Sequence, residues 1–365
     1  MTVADVVVGP KKWVSPKETT EKLDWADLTV IDLNEFDTPE GKQKLANELK
    51  VAGSTEGFWA VVNSGFSEED IFEIFSYGRS FFEDYSDEEK SAVEVDFTTG
   101  NYFGFKKRGN KTMFDTKIPD NSEIVNIAKF TKDNRFLEYH KFKFVAENQA
   151  KLEEISRKSF EVIRKLLILL AIGLELDENY FVDRHLYEDA SDDLLRFMRY
   201  HPRAASEDAR IENTWARAHT DFGTLTLLFN QVVAGLQIKT PDGSWKYVKP
   251  ISGGGIICNV GDTLNFWSGG FFKSTIHRVV RPPDDQVGAP RIGAFYFLRP
   301  GDKANVEIAP SPLLKELGLY KKVSPVIGTD YVRKRVTDYH NRKTYAKQSN
   351  VKFKVGEFEI VDGFD

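Results

Sequence analysis

Apolar and polar residues change their spacing several times along this chain, and each change marks an element. LTVIDLNEF (28–36) alternates and predicts a strand. TPEGKQKLANELKVAGSTEG, from Thr38, moves to helical spacing; GFWAVVNSGF, from Gly57, returns to a buried strand closed by a turn. SEEDIFEIFSYGRSFFEDYSDEEK opens with a Ser/Glu start signal and runs on as a helix. NYFGFKKRGNKTMFDTK is aromatic and basic without helical spacing, so strand and loop are expected there. From about Lys141 to Leu174 apolar residues recur at three and four, which predicts one long amphipathic helix. LLRFMRYHPRA reads as a strand ending at Pro202. After Thr214 come short strand-like runs divided by TPDGS, SGGG and VGD, all turn signals. Gly253–Gly255 lacks the spacing and the following Lys-Ser/Thr of a phosphate loop, so a hairpin connection is expected. Short strands so closely spaced predict an antiparallel jelly roll. From Ser311 onward, PLLKELGLY and TDYVRKRVTDYHNRKTYA predict C-terminal helices. The first 27 residues are polar and mixed, and are expected to form a loosely held arm.

Composition adds bounds. With 365 residues and 41% hydrophobic content the chain can bury a full core. A net charge of −6 gives no reason to expect nucleic acid. One cysteine, Cys258, excludes an internal disulfide and fits a reducing compartment. It lies in an apolar strand run, where a buried, inert thiol is expected. The N-terminus lacks the basic-then-apolar order of a signal peptide, and the apolar run from Leu166 is too short to span a bilayer. The expectation is a soluble cytoplasmic protein with no membrane, nucleic-acid or obligatory protein partner.

The candidate chemistry sits between Arg217 and Arg299. His219 and Asp221 stand two apart, so in a strand they share a face. His277 and Arg291 follow, each on its own strand-like run. Two imidazoles and one carboxylate on one face of a metal leave positions open for oxygen and a co-substrate, the arrangement of non-haem Fe(II) oxygenases. The same three groups also suit zinc. Arg291 offers a planar fork for a carboxylate. Of six histidines, His140, His185 and His340 are expected at the surface, and His201 is a candidate for a supporting role.

ARAHTDFGTLTLLF, AGLQI, GDTL, SGG, KSTIHRV and RIGAFYF together resemble the Fe(II)/2-oxoglutarate-dependent dioxygenases, and specifically their isopenicillin N synthase-like branch. The resemblance covers roughly residues 28–300. It implies an α+β fold: a double-stranded β-helix (jelly-roll) core, an N-terminal mixed α/β region, a long scaffold helix and C-terminal helices folding back over the active-site mouth. The implied division is an arm (1–27), an N-terminal region (28–140), helix and core (141–300) and a C-terminal cover (301–365). His219, Asp221 and His277 are the implied Fe(II) ligands. Arg291 and Tyr200 are the implied partners of the far carboxylate of 2-oxoglutarate. Tyr102, Phe103 and Phe297 are the implied substrate residues, with Phe222, Phe271 and Phe272 as weaker candidates. Ser64, Met198 and Gly293 depart from the family's usual His, Asn and Ser. The family's Ser at position 293 adds one hydrogen bond to the co-substrate, so Gly293→Ser is expected to be neutral or helpful. The implied reaction uses O2, releases succinate and CO2, and hydroxylates, desaturates or cyclises a small organic molecule, with secondary metabolism as the expected setting. The rival readings are an iron oxidase that takes no 2-oxoglutarate and a non-catalytic metal-binding module.

Overall fold

The computed structural model describes residues 9–114, 116–132, 138, 141–340, 344–345 and 351–362. In chain order the elements are β1 (Val30–Asp32), α1 (Pro39–Ser54), β2 (Phe58–Val62), α2 (Glu68–Asp84), α3 (Asp87–Ser91), β3 (Gly104–Lys106), β4 (Thr112–Met113), β5 (Ser122–Ala128) and α4 (Lys143–Gly173). Then follow β6 (Leu194–Tyr200), α5 (Ala205–Arg210), β7 (Thr214–His219), β8 (Leu225–Phe229), β9 (Leu236–Lys239), β10 (Trp245–Tyr247) and β11 (Ile256–Val260). The rest are α6 (Asp262–Trp267), β12 (His277–Val280), β13 (Arg291–Leu298), β14 (Asn305–Val306), α7 (Pro312–Glu316), β15 (Val326–Ile327), α8 (Gly328–His340), β16 (Thr344–Tyr345), β17 (Val351–Val355) and β18 (Phe358–Asp362).

Local chemistry sets the helix starts. Thr38 accepts the Gly41 amide ahead of Pro39, which opens α1. Ser67 and Asp70 exchange side-chain and backbone hydrogen bonds in a capping box at α2. Leu152, Ile155, Ile163, Leu166, Leu167 and Leu170 form the buried stripe of α4. Leu33–Glu35, expected as strand, turns as a 3-10 helix because Asp32 accepts the Asn34 amide.

Two sheets form the core. The larger runs β1-β2-β11-β8-β13-β6-β5-β3, and the smaller runs β10-β9-β12-β7. They meet through Met198, Tyr200 and Phe295 against Trp215, Leu236 and Val279, and through Phe58 and Ile257 against Ile238 and Val248. Helices α1, α2 and α4 join the main hydrophobic core with the larger sheet. At Gly78 in α2 an added Cβ would fall 2.7 Å from Phe197 of β6, so that helix lies directly on the sheet. This is the jelly-roll architecture, with the helices behind the larger sheet. Among the described residues no helix is long and apolar enough to cross a membrane.

Several expectations change. The arm is docked at Trp13 and at Thr19–Thr20: Trp13 is buried and stacks on Phe75 at 5.6 Å, its amide bonds Ser76 Oγ, and Thr19 and Thr20 bond Asp285. VGD does not turn the chain back; Gly261 starts α6. The C-terminal cover contains the β17–β18 hairpin as well as helices, and Phe353 and Phe358 pack on Tyr331 of α8. His185 is not at the surface. It is 1% exposed, with Nδ1 on the Phe181 carbonyl and Nε2 on the Thr224 hydroxyl. His140 lies outside the described residues. Cys258 is buried in β11, and burial raises its thiol well above the ordinary range, as its apolar run implied.

Trp13→Ala should release the arm, since removing a buried Trp costs about 3–5 kcal/mol; faster tryptic cleavage at Lys17 and Lys22 is the readout. Burial lowers the His185 imidazole to about 4 from 6.5. A histidine held neutral in this way contributes fully above 6.5, and the contribution is lost as pH falls from 6.5 to about 4. The shift corresponds to on the order of 3 kcal/mol. His185→Gln should remove that part of the acid slope in urea-unfolding measurements.

Candidate active site

The two candidate histidines are brought together by strand register. β12 pairs antiparallel with β7, and His277 lies directly opposite His219. Their rings are 4.3 Å apart between centroids. The pairing shifts register after His277, a bulge that re-aims the neighbouring side chains. Asp221, just past β7, places Oδ1 3.9 Å from His277 Nε2. Candidate ligand atoms of all three residues lie within 4.8 Å of one another.

Each of the three groups is oriented by a second bond. His219 Nδ1 meets the Arg217 carbonyl at 2.8 Å, and His277 Nδ1 meets the Thr275 carbonyl at 3.1 Å. Donation from Nδ1 leaves each Nε2 lone pair for a metal. Asp221 Oδ2 accepts from the Thr226 hydroxyl at 2.7 Å and from Asn259 Nδ2 at 2.8 Å, which leaves Oδ1 available. Burial, with the neighbouring His277 and Arg217, pushes the His219 imidazole down to about 3. Burial works against the Asp221 carboxylate, but His277, His219, Asn259 and Thr226 outweigh it and hold the group below its usual value. Neutral imidazole and ionised carboxylate are the protonation states a cation requires.

The turn after β7 is clamped by the start of α6. The Gly261 amide bonds Thr224 O, Asp262 bonds Asp221 O and Thr263 bonds Gly223 O, at 2.7–3.1 Å. A Cβ on Gly261 would stand 2.2 Å from Gly223 O, so glycine permits this approach. The GDTL motif is thus the backstop of the Asp221 loop, and Thr226 and Asn259 complete it. Sequence reasoning did not single out those two.

The three groups open into a cavity of about 1310 Å³, its mouth included. β13 sends Arg291, Gly293, Phe295 and Phe297 into it, with Arg299 just beyond, and β6 sends Arg196, Met198 and Tyr200. Both sets follow the alternation of a strand. Extending that alternation from Arg291 and Tyr200 would have found Arg196, Phe295 and Arg299. Arg291 pairs with Tyr200 across the sheet, and its guanidinium lies 4.8 Å from the Tyr200 ring centroid. Arg291 is 4% exposed and its Nε has no hydrogen-bond partner. A buried guanidinium with an unpaired Nε is suited to an incoming carboxylate.

Other expectations sort themselves by position. Tyr102, Phe222 and Phe297 line the cavity. Phe103 does not; it is buried beneath, packed with Ala128, Leu194 and Phe297. Phe271 and Phe272 lie elsewhere, and Phe272 covers Gly53 of α1. His201 bonds Glu123 at 2.6 Å, away from the cavity. His340 is a cavity residue and not a surface one: it stacks on Phe97 with centroids 3.8 Å apart. The ring of Phe295 lies 2.6 Å from where a Gly293 Cβ would stand. Gly293→Ser therefore requires the Phe295 ring to move.

A jelly roll carrying two histidines, one aspartate and a buried arginine defines the class as a non-haem metal oxygenase. Residues 191–300 match the model of the 2OG-Fe(II) oxygenase superfamily. Residues 28–148 match a model described as non-haem dioxygenase in morphine synthesis N-terminal. A 2-oxoglutarate-dependent dioxygenase of Gibberella zeae is 31% identical over 284 residues, covering 76% of this chain and 80% of that protein. Leucoanthocyanidin dioxygenase of Perilla frutescens is 28% identical, over 74% of this chain and 75% of that one. Among solved structures, a full-length Neurospora crassa protein in complex with alpha-KG superposes with a TM-score of 0.74 at 24% identity, covering 87% of this chain and 99% of that one. The chain belongs to the 2-oxoglutarate–Fe(II) oxygenase superfamily. Fe(II) is its cofactor and 2-oxoglutarate its co-substrate.

Thr226→Val or Asn259→Leu should weaken Fe(II) binding by about 10–100-fold, because the bonds that orient a ligand govern its affinity. His219→Ala should abolish it while leaving the far-UV circular dichroism unchanged. Anaerobic metal titration measures both; full Fe(II) content in His219→Ala would overturn the ligand assignment.

Proposed function

We propose that His219, Asp221 and His277 hold Fe(II), that Arg291 and Tyr200 bind the far carboxylate of 2-oxoglutarate, and that the cavity oxidises a small organic molecule. The observation that carries this is the buried Arg291 fork, orphaned at Nε, in the same cavity as the three candidate ligands. Bound Fe(II) and 2-oxoglutarate supply O2 activation coupled to loss of CO2 from the keto acid, which leaves succinate.

The chain's own residues do the rest. Arg291 neutralises the distal carboxylate in a place where burial would otherwise make it costly. Burial raises the Tyr200 hydroxyl, while the Arg291 charge opposes this, so the hydroxyl stays protonated and able to donate. Trp215 stacks on Tyr200 at 6.0 Å and walls that end of the cavity. Phe297 and Tyr102 line the other end and orient the substrate. Tyr339 and His340, at the end of α8, line the same cavity and restrict water. Excluding water keeps the oxidation directed at the bound molecule. Hydroxylation, desaturation and ring closure all lie within this chemistry.

Gly293 and Met198 face each other across β13 and β6, and bring neither a hydroxyl nor an amide toward Arg291. The test is succinate release at varied 2-oxoglutarate. Arg291→Ala should raise the apparent KM by about two orders of magnitude or more, since stranding one member of a buried pair costs ~3–5 kcal/mol. Tyr200→Phe should cost about 1–3 kcal/mol. An apparent KM for 2-oxoglutarate unchanged in Arg291→Ala would overturn the Arg291 assignment.

A further inference from the structure

The cavity has a second cationic end, apart from Arg291. Arg196 of β6 and Arg299, just past β13, both line it. Their Cζ atoms lie 5.0 and 4.9 Å from the Tyr102 ring centroid, and Arg196 is also 4.5 Å from that of Phe297. Arg299 is 4% exposed and its Nη1 has no hydrogen-bond partner. Arg196 spends Nε on Asn126 Oδ1 at 2.7 Å. Among the described residues no carboxylate accepts a hydrogen bond from either guanidinium.

The acids nearby are already matched. Asp192 takes Arg333, Asp120 takes Lys106, and Asp193 takes Lys129 and the Arg299 amide. The excess positive field is visible at His340. Burial pushes that imidazole well below its usual value, and Lys111, Lys106, Arg196 and Arg217 push it further. Asp192 and Asp193 favour the Arg299 charge through space, but both are already bonded to other cations, and burial outweighs them and lowers the group.

This end is separate from the Arg291 end. The β13 run divides the two arginines, roughly 26 Å of extended chain at about 3.3 Å per residue. It is also beside the Asp221 loop. A Cβ on Gly223 would stand 3.2 Å from Arg299 Cγ, and the Thr224 amide bonds Leu298 O at 2.9 Å. Phe297 lies across from Thr226, the residue that donates to Asp221. An anion bound here would hold its attached carbon frame against Phe297, close to the candidate metal ligands.

We infer that the main substrate is a small organic acid whose carboxylate is held by Arg196 and Arg299 and whose flat apolar body lies along Tyr102 and Phe297. The planar fork of arginine matches a carboxylate and not a neutral amide. The inference rests on the reading that assigns Arg291 to 2-oxoglutarate.

The experiment uses the full chain loaded with Zn(II) and 2-oxoglutarate, in which turnover is blocked and binding is read by calorimetry and melting temperature. The probes are matched pairs: cinnamate, 2-naphthoate and indole-3-carboxylate against their primary amides. The acids should bind and the amides should not. Arg196→Gln and Arg299→Gln should each weaken acid binding by about tenfold or more, with Arg299→Lys milder. Affinity for 2-oxoglutarate in the same samples should stay near wild type in these variants and be lost in Arg291→Ala. If Arg299→Gln does not fold, the half-buried Arg196→Gln carries the test. Amides that bind as well as acids, no acid bound while 2-oxoglutarate binds, or acid affinity unchanged in Arg196→Gln would each overturn the inference. Failure of 2-oxoglutarate to bind the wild-type chain would remove the functional reading first, and this inference with it.

Discussion

The pairing of His277 with His219 across β7 and β12 is the constraint on which the site depends. A strand alternates faces, so a slip of one residue would send one imidazole to the other side of the sheet. The bulge after His277 fixes that register locally. Asp221 is then held by a separate device, because it lies past the end of its strand. Three amides at the start of α6 bind the carbonyls of its loop, while Thr226 and Asn259 turn its carboxylate. The three groups are thus assembled from both sheets and one short helix, each contributing a bond that a description of the three alone omits.

Charge is arranged around that centre in an uneven way. Arg291 lies at one end of the β13 run, and Arg299 with Arg196 at the other. The other carboxylate among the described lining residues, Asp120, is satisfied by Lys106 and the amides of Gly109 and Lys111. Arginines thus line the interior at two separate points. Gly293 and Met198 change the shape between them. Without a Cβ at Gly293, the Phe295 ring occupies space that a serine would take, and it stacks on Phe297 at 5.7 Å. That trades a side-chain hydroxyl for aromatic surface.

The C-terminal cover depends on the same interior. Arg335 of α8 is buried 3.7 Å from Asp262, and the Tyr331 hydroxyl lies 3.2 Å from the same carboxylate. Asp262 also sits at the start of α6, so the cover and the Asp221 loop share an anchor. Lys111 bonds the carbonyls of Tyr339 and His340, which ends α8 at the cavity mouth.

Residue spacing determined part of this: the long helix was legible because period is a local property. So was Cys258, buried by the apolar run around it. The His219, Asp221, His277 and Arg291 set was read from flanking motifs that resemble the family. What spacing did not carry was distance between segments. His185 and His340 were expected outside because their neighbours in sequence are charged; both are inside because their neighbours in space are Trp267 and Phe97. The arm was expected loose because its composition is polar, but one tryptophan and a few hydrogen bonds to Ser76 and Asp285 hold it. Phe103 and Phe297 read alike as aromatic strand residues, yet only Phe297 faces the cavity. Arg196 and Arg299 were not legible as a pair because one lies in β6 and the other just past β13, and only the antiparallel pairing of those strands brings them to one end of the cavity. Sequence determines which residues can bind a metal or an anion; only tertiary packing decides which of them share a volume from which water and countercharge are removed.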